Sequence, residues 1–158
     1  MQCSVHQELE IDMAYRNIIC PIDGSELGNK ALEEAIYISK ATGARLILLH
    51  VVEKWYQSAH LVTDSEEWQL IHNDWLKKGR ELLDSELVKV KEKGSKDVET
   101  VLRDGDAAYE IIATAVESKA DLIVMASHRY SPIGKLFMGS VIDNVTKRAP
   151  CPVLWVFK

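Results

Sequence analysis

The stretch richest in groups able to do chemistry is residues 125–141, MASHRYSPIGKLFMGSV. An apolar strand runs into a long loop there, and the loop enters a helix at Gly139-Ser140. The first turn of a helix has unpaired N–H groups and the positive end of the helix dipole, which together favour an anion. Gly139 lets the backbone approach a phosphate closely, and the Ser140 hydroxyl can add a bond. Taken alone, the pair is equally an ordinary serine-capped helix start. His128 in the same loop can touch a phosphate, move a proton, or sit in water.

Other chemistries fail on spacing. The nearest approach to GxxxxGK[ST], residues 129–136, has arginine for the first glycine and leucine for Ser/Thr. No GxGxxG and no GxSxG occurs. His6, His50, His60, His72 and His128 have no HExxH or paired-ligand spacing, so a structural zinc site is not expected. His50 lies on a core strand and reads as a hydrogen-bonded core or rim histidine. Asn144-Val145-Thr146 fits a glycosylation sequon but lies within a helix. Trp55, Trp68 and Trp75 stand among acidic residues, which favours packing or an interface over base stacking.

These groups are positioned by a regular alternation of elements. Residues 17–22 (NIICPI) form a buried strand ending in the turn Pro21-Ile22-Asp23-Gly24-Ser25. Ser25 caps a helix with Ala31, Leu32, Ala35, Ile36 and Ile38 at helical spacing, and Gly43 stops it. Residues 45–52 (RLILLHVV) are apolar almost throughout, as in a strand covered on both faces. A loop over 53–63 leads to a long helix at about 65–93, striped with Trp68, Ile71, Trp75, Gly79, Leu82, Leu83, Leu87 and Val90. Gly79 on that stripe implies close packing against a neighbour, or else a kink. The Lys and Glu residues of this helix read as its solvated face.

Residues 98–103 make a weaker strand nearer an edge, and Asp104-Gly105-Asp106 turns into a helix with Ala108, Ile111, Ile112, Ala115 and Val116 on one face. Residues 121–126 (DLIVMA) are a strongly buried strand. After the irregular segment 127–138, Ser140 caps a last helix with Asp143 as its capping-box partner; Lys147 and Arg148 sit at the negative end. Residues 153–157 (VLWVF) are the final strand, with Trp155 and Phe157 on one face and Leu154 and Val156 on the other. Such alternation predicts an α/β fold with a five-stranded, mostly parallel, doubly wound Rossmann-like sheet and about four helices. Ligands bind such sheets beyond the carboxyl ends of the strands at the switch point. That singles out Pro21-Ile22-Asp23, His50-Val51-Val52 and the run from Met125 to Ser140.

The 158 residues fit one domain over 15–158, preceded by a disordered or loosely held arm over 1–14. The regular pattern begins just after Met13, a candidate functional start. A net charge of −5 argues against a broad nucleic-acid surface. Cys3, Cys20 and Cys151 make no disulfide framework and no CxxC, as for reduced thiols in the cytoplasm. No apolar run approaches the ~18 residues that cross a bilayer, and residues 1–13 do not form a secretory signal. A membrane partner is therefore not expected.

The ordered set IICPIDGSELGNKALEEAIYIS, LILLHVV, RDGDAAYEII, DLIVMASH and GSVIDNVTKRAPCPVLWV resembles the universal stress protein family over residues 15–158. The resemblance implies a fold like that of the adenine nucleotide alpha hydrolases. The family's ATP-binding branch has a loop of glycine, two residues, glycine, nine residues, glycine, then Ser or Thr. Gly139-Ser140 matches its end, but Ala126 and Arg129 stand where the first two glycines would be. By resemblance, Pro21, Ile22, Asp23 and Val51 would contact adenine and ribose. Ser127, His128, Arg129, Gly139, Ser140 and Val141 would contact the phosphates, with Met125 and Ala126 also in the nucleotide site. Asp23 would hold ribose hydroxyls or a Mg²⁺ ion bridging the phosphates, or else bond its own backbone in a turn. Ala126 is a mild change. Arg129 is strained if its position needs φ > 0, and its side chain either fills the phosphate site or bonds phosphate within it. Lys135 offers a second positive charge, although an exposed lysine is the norm.

The resemblance thus implies a stress-response module that binds ATP or a related adenine nucleotide, with Mg²⁺. The alternative is a dimeric interaction or regulatory protein that binds no nucleotide, consistent with Ala126 and Arg129. A slow ATPase ranks behind both, because no nucleophile, base and orienter constellation is visible. The final strand is an apolar edge that invites pairing, and family members commonly dimerise through it, so a homodimer through residues 153–157 is expected. The other reading of that edge is that residues 1–14 cover it.

Overall fold

The computed structural model describes residues 15–53, 66–127 and 140–157. Its elements follow the expected order: β1 (Asn17–Pro21), α1 (Glu26–Thr42), β2 (Arg45–Glu53), α2 (Glu66–Glu92), β3 (Val98–Gly105), α3 (Ala107–Glu117), β4 (Leu122–Ala126), α4 (Ser140–Arg148) and β5 (Val153–Val156). The five strands form one parallel sheet in the order β3-β2-β1-β4-β5. The chain builds outward from β1 to β3, then returns to place β4 on the other side of β1. The switch point therefore lies between β1 and β4.

Strand alternation divides the core into two layers. Ile18, Cys20, Leu46, Leu48, Leu122 and Val124 face α1 and α2, while Ile19, Ile47, Leu49, Ile123 and Met125 face α3 and α4. Both layers are buried, which explains the unbroken apolar runs of β2 and β4. The local signals act as expected. The Ser25 hydroxyl accepts from Gly28 N–H at 2.9 Å, and Gly43 closes α1 at φ 75° with its N–H on Ser39. The amino ends of β1 and β4 are tied by Asp121, whose carboxylate accepts the N–H groups of Arg16 and Asn17, each at 2.8 Å.

Four readings need correction. β3 runs on to Gly105, because Asp104 and Gly105 remain in register with Val52 and Glu53; Asp106 alone caps α3, accepting from Tyr109 N–H at 2.8 Å. The stripe of α2 is buried only from Gly79 onward, and Ile71 is exposed. A 27-residue helix is about 40 Å long, whereas the eight residues of β3 span about 27 Å, so its first turns overhang the sheet. There His72 Nε2 meets Asp104 Oδ2 at 2.8 Å. Not all the charges of α2 are solvated: Glu86 is only 6% exposed and accepts from Lys89 Nζ at 2.7 Å. In α3, Ala108, Ile111 and Ala115 are buried, but Val116 points outward and Ile112 is half-buried, because the apolar arc of this helix is wider than its contact with the sheet. The Asp143 carboxylate accepts from Lys147 Nζ at 2.6 Å.

Candidate functional site

At the carboxyl ends of β1, β2 and β4, over the switch point, lies a cavity of about 390 Å³. Its walls include Pro21, Ile22, Asp23, Val51, Met125, Ala126 and Val141, seven of the residues singled out in the sequence. Its size suits a small molecule, since such pockets usually span about 300–1,000 Å³. Ser127 is not part of the wall: it is buried, and its N–H donates to Val156 O at 2.8 Å, extending the β4–β5 ladder. Ser140 begins α4, while His128, Arg129, Lys135 and Gly139 lie outside the described residues.

The first wall is built by the end of β1. Ile22 N–H donates to Leu49 O at 2.8 Å, keeping the chain in the sheet one residue beyond Pro21. Asp23 Oδ1 then accepts Ser25 N–H at 2.9 Å, and Gly24 takes φ 75° to complete the turn into α1. The turn reading of Asp23 is thus correct, and among the described residues its second carboxylate oxygen, at the rim of the cavity, accepts no hydrogen bond. A Cβ on Gly28 would lie 2.4 Å from Asp23 Oδ1, so the absence of a side chain at 28 makes room for the carboxylate.

β2 supplies the next wall. His50 Nδ1 lies 2.8 Å from Ile22 O. A carbonyl only accepts, so Nδ1 carries the proton and Nε2 of the neutral ring is an acceptor. The other edge of the ring rests on Gly79, where a Cβ would come within 2.7 Å of His50 Cδ2. Gly79 therefore serves close packing, one of its two expected roles. On the α2 side of β2 a second depression of about 410 Å³ shares His50, Val51 and Glu53 and adds Trp75, Lys78 and Leu82. Only the first spans the switch point, so it is the stronger candidate for a ligand site.

Sequence reasoning missed Gly28, Leu49, Glu53, Ala107, Ile111 and Ile142 as wall residues. Gly28 carries a local signal, a glycine in the first turn of a helix where any better helix former would serve. Ala107 and Ile111 reach the site from α3 and Ile142 from α4, through the crossovers on either side of β4, while Leu49 and Glu53 belong to β2.

Cys20, the residue before Pro21, is fully buried in the layer facing α1 and α2, and its thiol pKa is pushed up to about 12 by burial and, to a lesser extent, by the Asp23 carboxylate. Burial, with a smaller effect of Asp121, also raises Cys151. At pH 8 a thiol with that pKa is ionised to about one part in ten thousand, and the thiolate is the nucleophile. Iodoacetamide at pH 8 should leave Cys20 unmodified in the native protein and label it once the chain is unfolded; peptide mapping reads this directly. Rapid native labelling of Cys20 would contradict its burial.

Among the described residues no group of three His, Cys, Asp or Glu side chains is placed to hold a metal ion. No described helix is long and apolar enough to cross a membrane.

With this geometry established, the chain can be compared with known proteins. The universal stress protein family model matches residues 14–156. A universal stress protein of Methanocaldococcus jannaschii is 34% identical over 91% of this chain and 83% of its own. The universal stress protein YxiE of Bacillus subtilis is 31% identical over 90% of this chain and 99% of its own. A solved universal stress protein in complex with cAMP is 27% identical, with a TM-score of 0.70, over 90% of this chain and 97% of its own.

Proposed function

This chain belongs to the universal stress protein family, and from that premise we propose that it binds ATP or a related adenine nucleotide in the switch-point cavity, as a ligand or switch rather than as a substrate. The observation that carries this reading is the convergence of Pro21, Ile22, Asp23, Val51, Met125, Ala126 and Val141, from three strand ends and one helix, on a single cavity. The related structure holding cAMP supports an adenine nucleotide as the occupant. Ile22, Val51, Met125 and Val141 give the base apolar faces, and Asp23 accepts from ribose hydroxyls. By resemblance, His128, Arg129, Gly139 and Ser140 would supply the phosphate end of the site. Asp23 is one carboxylate, and a Mg²⁺ ion takes about six oxygen ligands, most of which would come from phosphates and water. The ion would therefore arrive with the nucleotide. The protein acts in the cytoplasm as a homodimer paired through β5, an edge strand whose Leu154, like Phe157 just after it, is exposed.

Calorimetric titration of nucleotide-stripped protein with ATP and Mg²⁺ tests this. Wild type should bind at micromolar affinity or better, about −8 kcal/mol, and an Arg129→Gly variant should bind at least as well. If only the variant binds, Arg129 closes the site, and the protein works through its surfaces instead. If neither binds, the nucleotide reading is wrong.

A further inference from the structure

We propose that the outer face of α3 and α4 is a contact between two copies of this chain, with the α3 helices packed antiparallel about a twofold axis. α3 is apolar on both sides. Its inner side chains fill the core, while on the outer side Tyr109 and Val116 are 67% and 60% exposed and Ile112 is half-buried. These three fall at i, i+3 and i+7, which makes one continuous stripe. An exposed apolar stripe of this kind marks a contact surface. The stripe forms one wall of a groove of about 640 Å³, and Asn144 and Arg148 of α4 form the other.

Charge identifies the occupant. All the strands are parallel, so α3 and α4 both run back from the carboxyl edge of the sheet to its amino edge. The groove therefore has the Asp106 carboxylate at one end and Arg148 at the other, about 16 Å away along an 11-residue helix. Glu117, at the Arg148 end, is already paired with Arg103. Among the described residues Arg148 forms no ion pair. A second copy turned about an axis through Ile112 sets its Asp106 against Arg148 and its Arg148 against Asp106, while the two apolar stripes cover each other. A twofold contact requires one patch complementary to itself, and this groove meets that condition. The contact is separate from the β5 edge. If both form, the assembly is a tetramer.

Sedimentation across a range of protein concentrations tests the proposal, with Val116→Lys and Arg148→Glu as variants. Both positions are exposed, so the fold should tolerate the changes. Each should weaken one association step about tenfold or more: dimer to monomer, or tetramer to dimer if β5 also pairs. Independently, Ile112→Cys in a Cys3→Ser background should cross-link to its counterpart across the axis on mild oxidation, doubling the mass on a denaturing gel. A chain that stays monomeric, an assembly indifferent to both charge changes, or absence of the cross-link overturns the proposal and leaves the face to residues 1–14 or to a different protein.

Discussion

Replacing Gly79 with leucine should lower the unfolding free energy by about 3 kcal/mol, the upper part of the usual range for overpacking a core. α2 crosses β2 and β3 where His50 and Leu102 stand side by side in register. A single Cβ at 79 would come within 2.7 Å of His50 Cδ2 and 2.9 Å of Leu102 Cδ1. The ring cannot easily swing aside, because Nδ1 is held by Ile22 O. Leucine adds three more carbons at the same point, so α2 must lift from the sheet. Gly79→Ala separates packing from helix propensity. Alanine is the better helix former by about 1 kcal/mol, so propensity alone predicts stabilisation, whereas packing predicts a net loss of about 1 kcal/mol. Urea unfolding of the two variants decides. A stabilised alanine variant would mean that α2 does not approach the sheet this closely.

Gly28→Ala should do the reverse, leaving the fold nearly intact while damaging the site. The new methyl would occupy the space of Asp23 Oδ1, 2.4 Å away, and press on Ser25 Oγ at 3.1 Å. The helix gains up to about 1 kcal/mol from the substitution and loses a similar amount from the disturbed Asp23 turn and Ser25 cap. The net change in stability should fall within about 1 kcal/mol of zero. Binding is another matter, because the carboxylate is displaced from the cavity rim. Hydrogen bonds to a charged group contribute about 1.5–3 kcal/mol each, so adenine nucleotide affinity should fall ten- to a hundredfold, as in Asp23→Ala. Since removing the Asp23 side chain also removes the collision, the double variant should bind no worse than Asp23→Ala alone, a non-additivity expected of two residues in contact. Fully additive losses would show that the two changes act separately and that Gly28 makes no room for Asp23.

Much of this molecule is legible locally. The order of strands and helices, the Ser25 cap, the Gly43 stop and the apolar runs of β2 and β4 all follow from side-chain period and backbone preference within a few residues. The switch-point rule then located half of the cavity wall from sequence, because strand ends can be placed once the strands are known. The sequence does not carry neighbour relations between distant segments. That β1 sits between β2 and β4, that Glu86 is buried with Lys89 on it, and that His72 meets Asp104 depend on how the crossovers pack. Gly28 and Gly79 make the same point. Each was visible as a glycine inside a helix, but the cause of each is an atom from another element, the Asp23 carboxylate or the His50 ring. In α3 the sequence showed a broad apolar arc, and only the tertiary structure divided it into a face against the sheet and a face turned outward. Periodicity records how much of a helix is apolar; the width of the surface it packs on decides how much of that is buried.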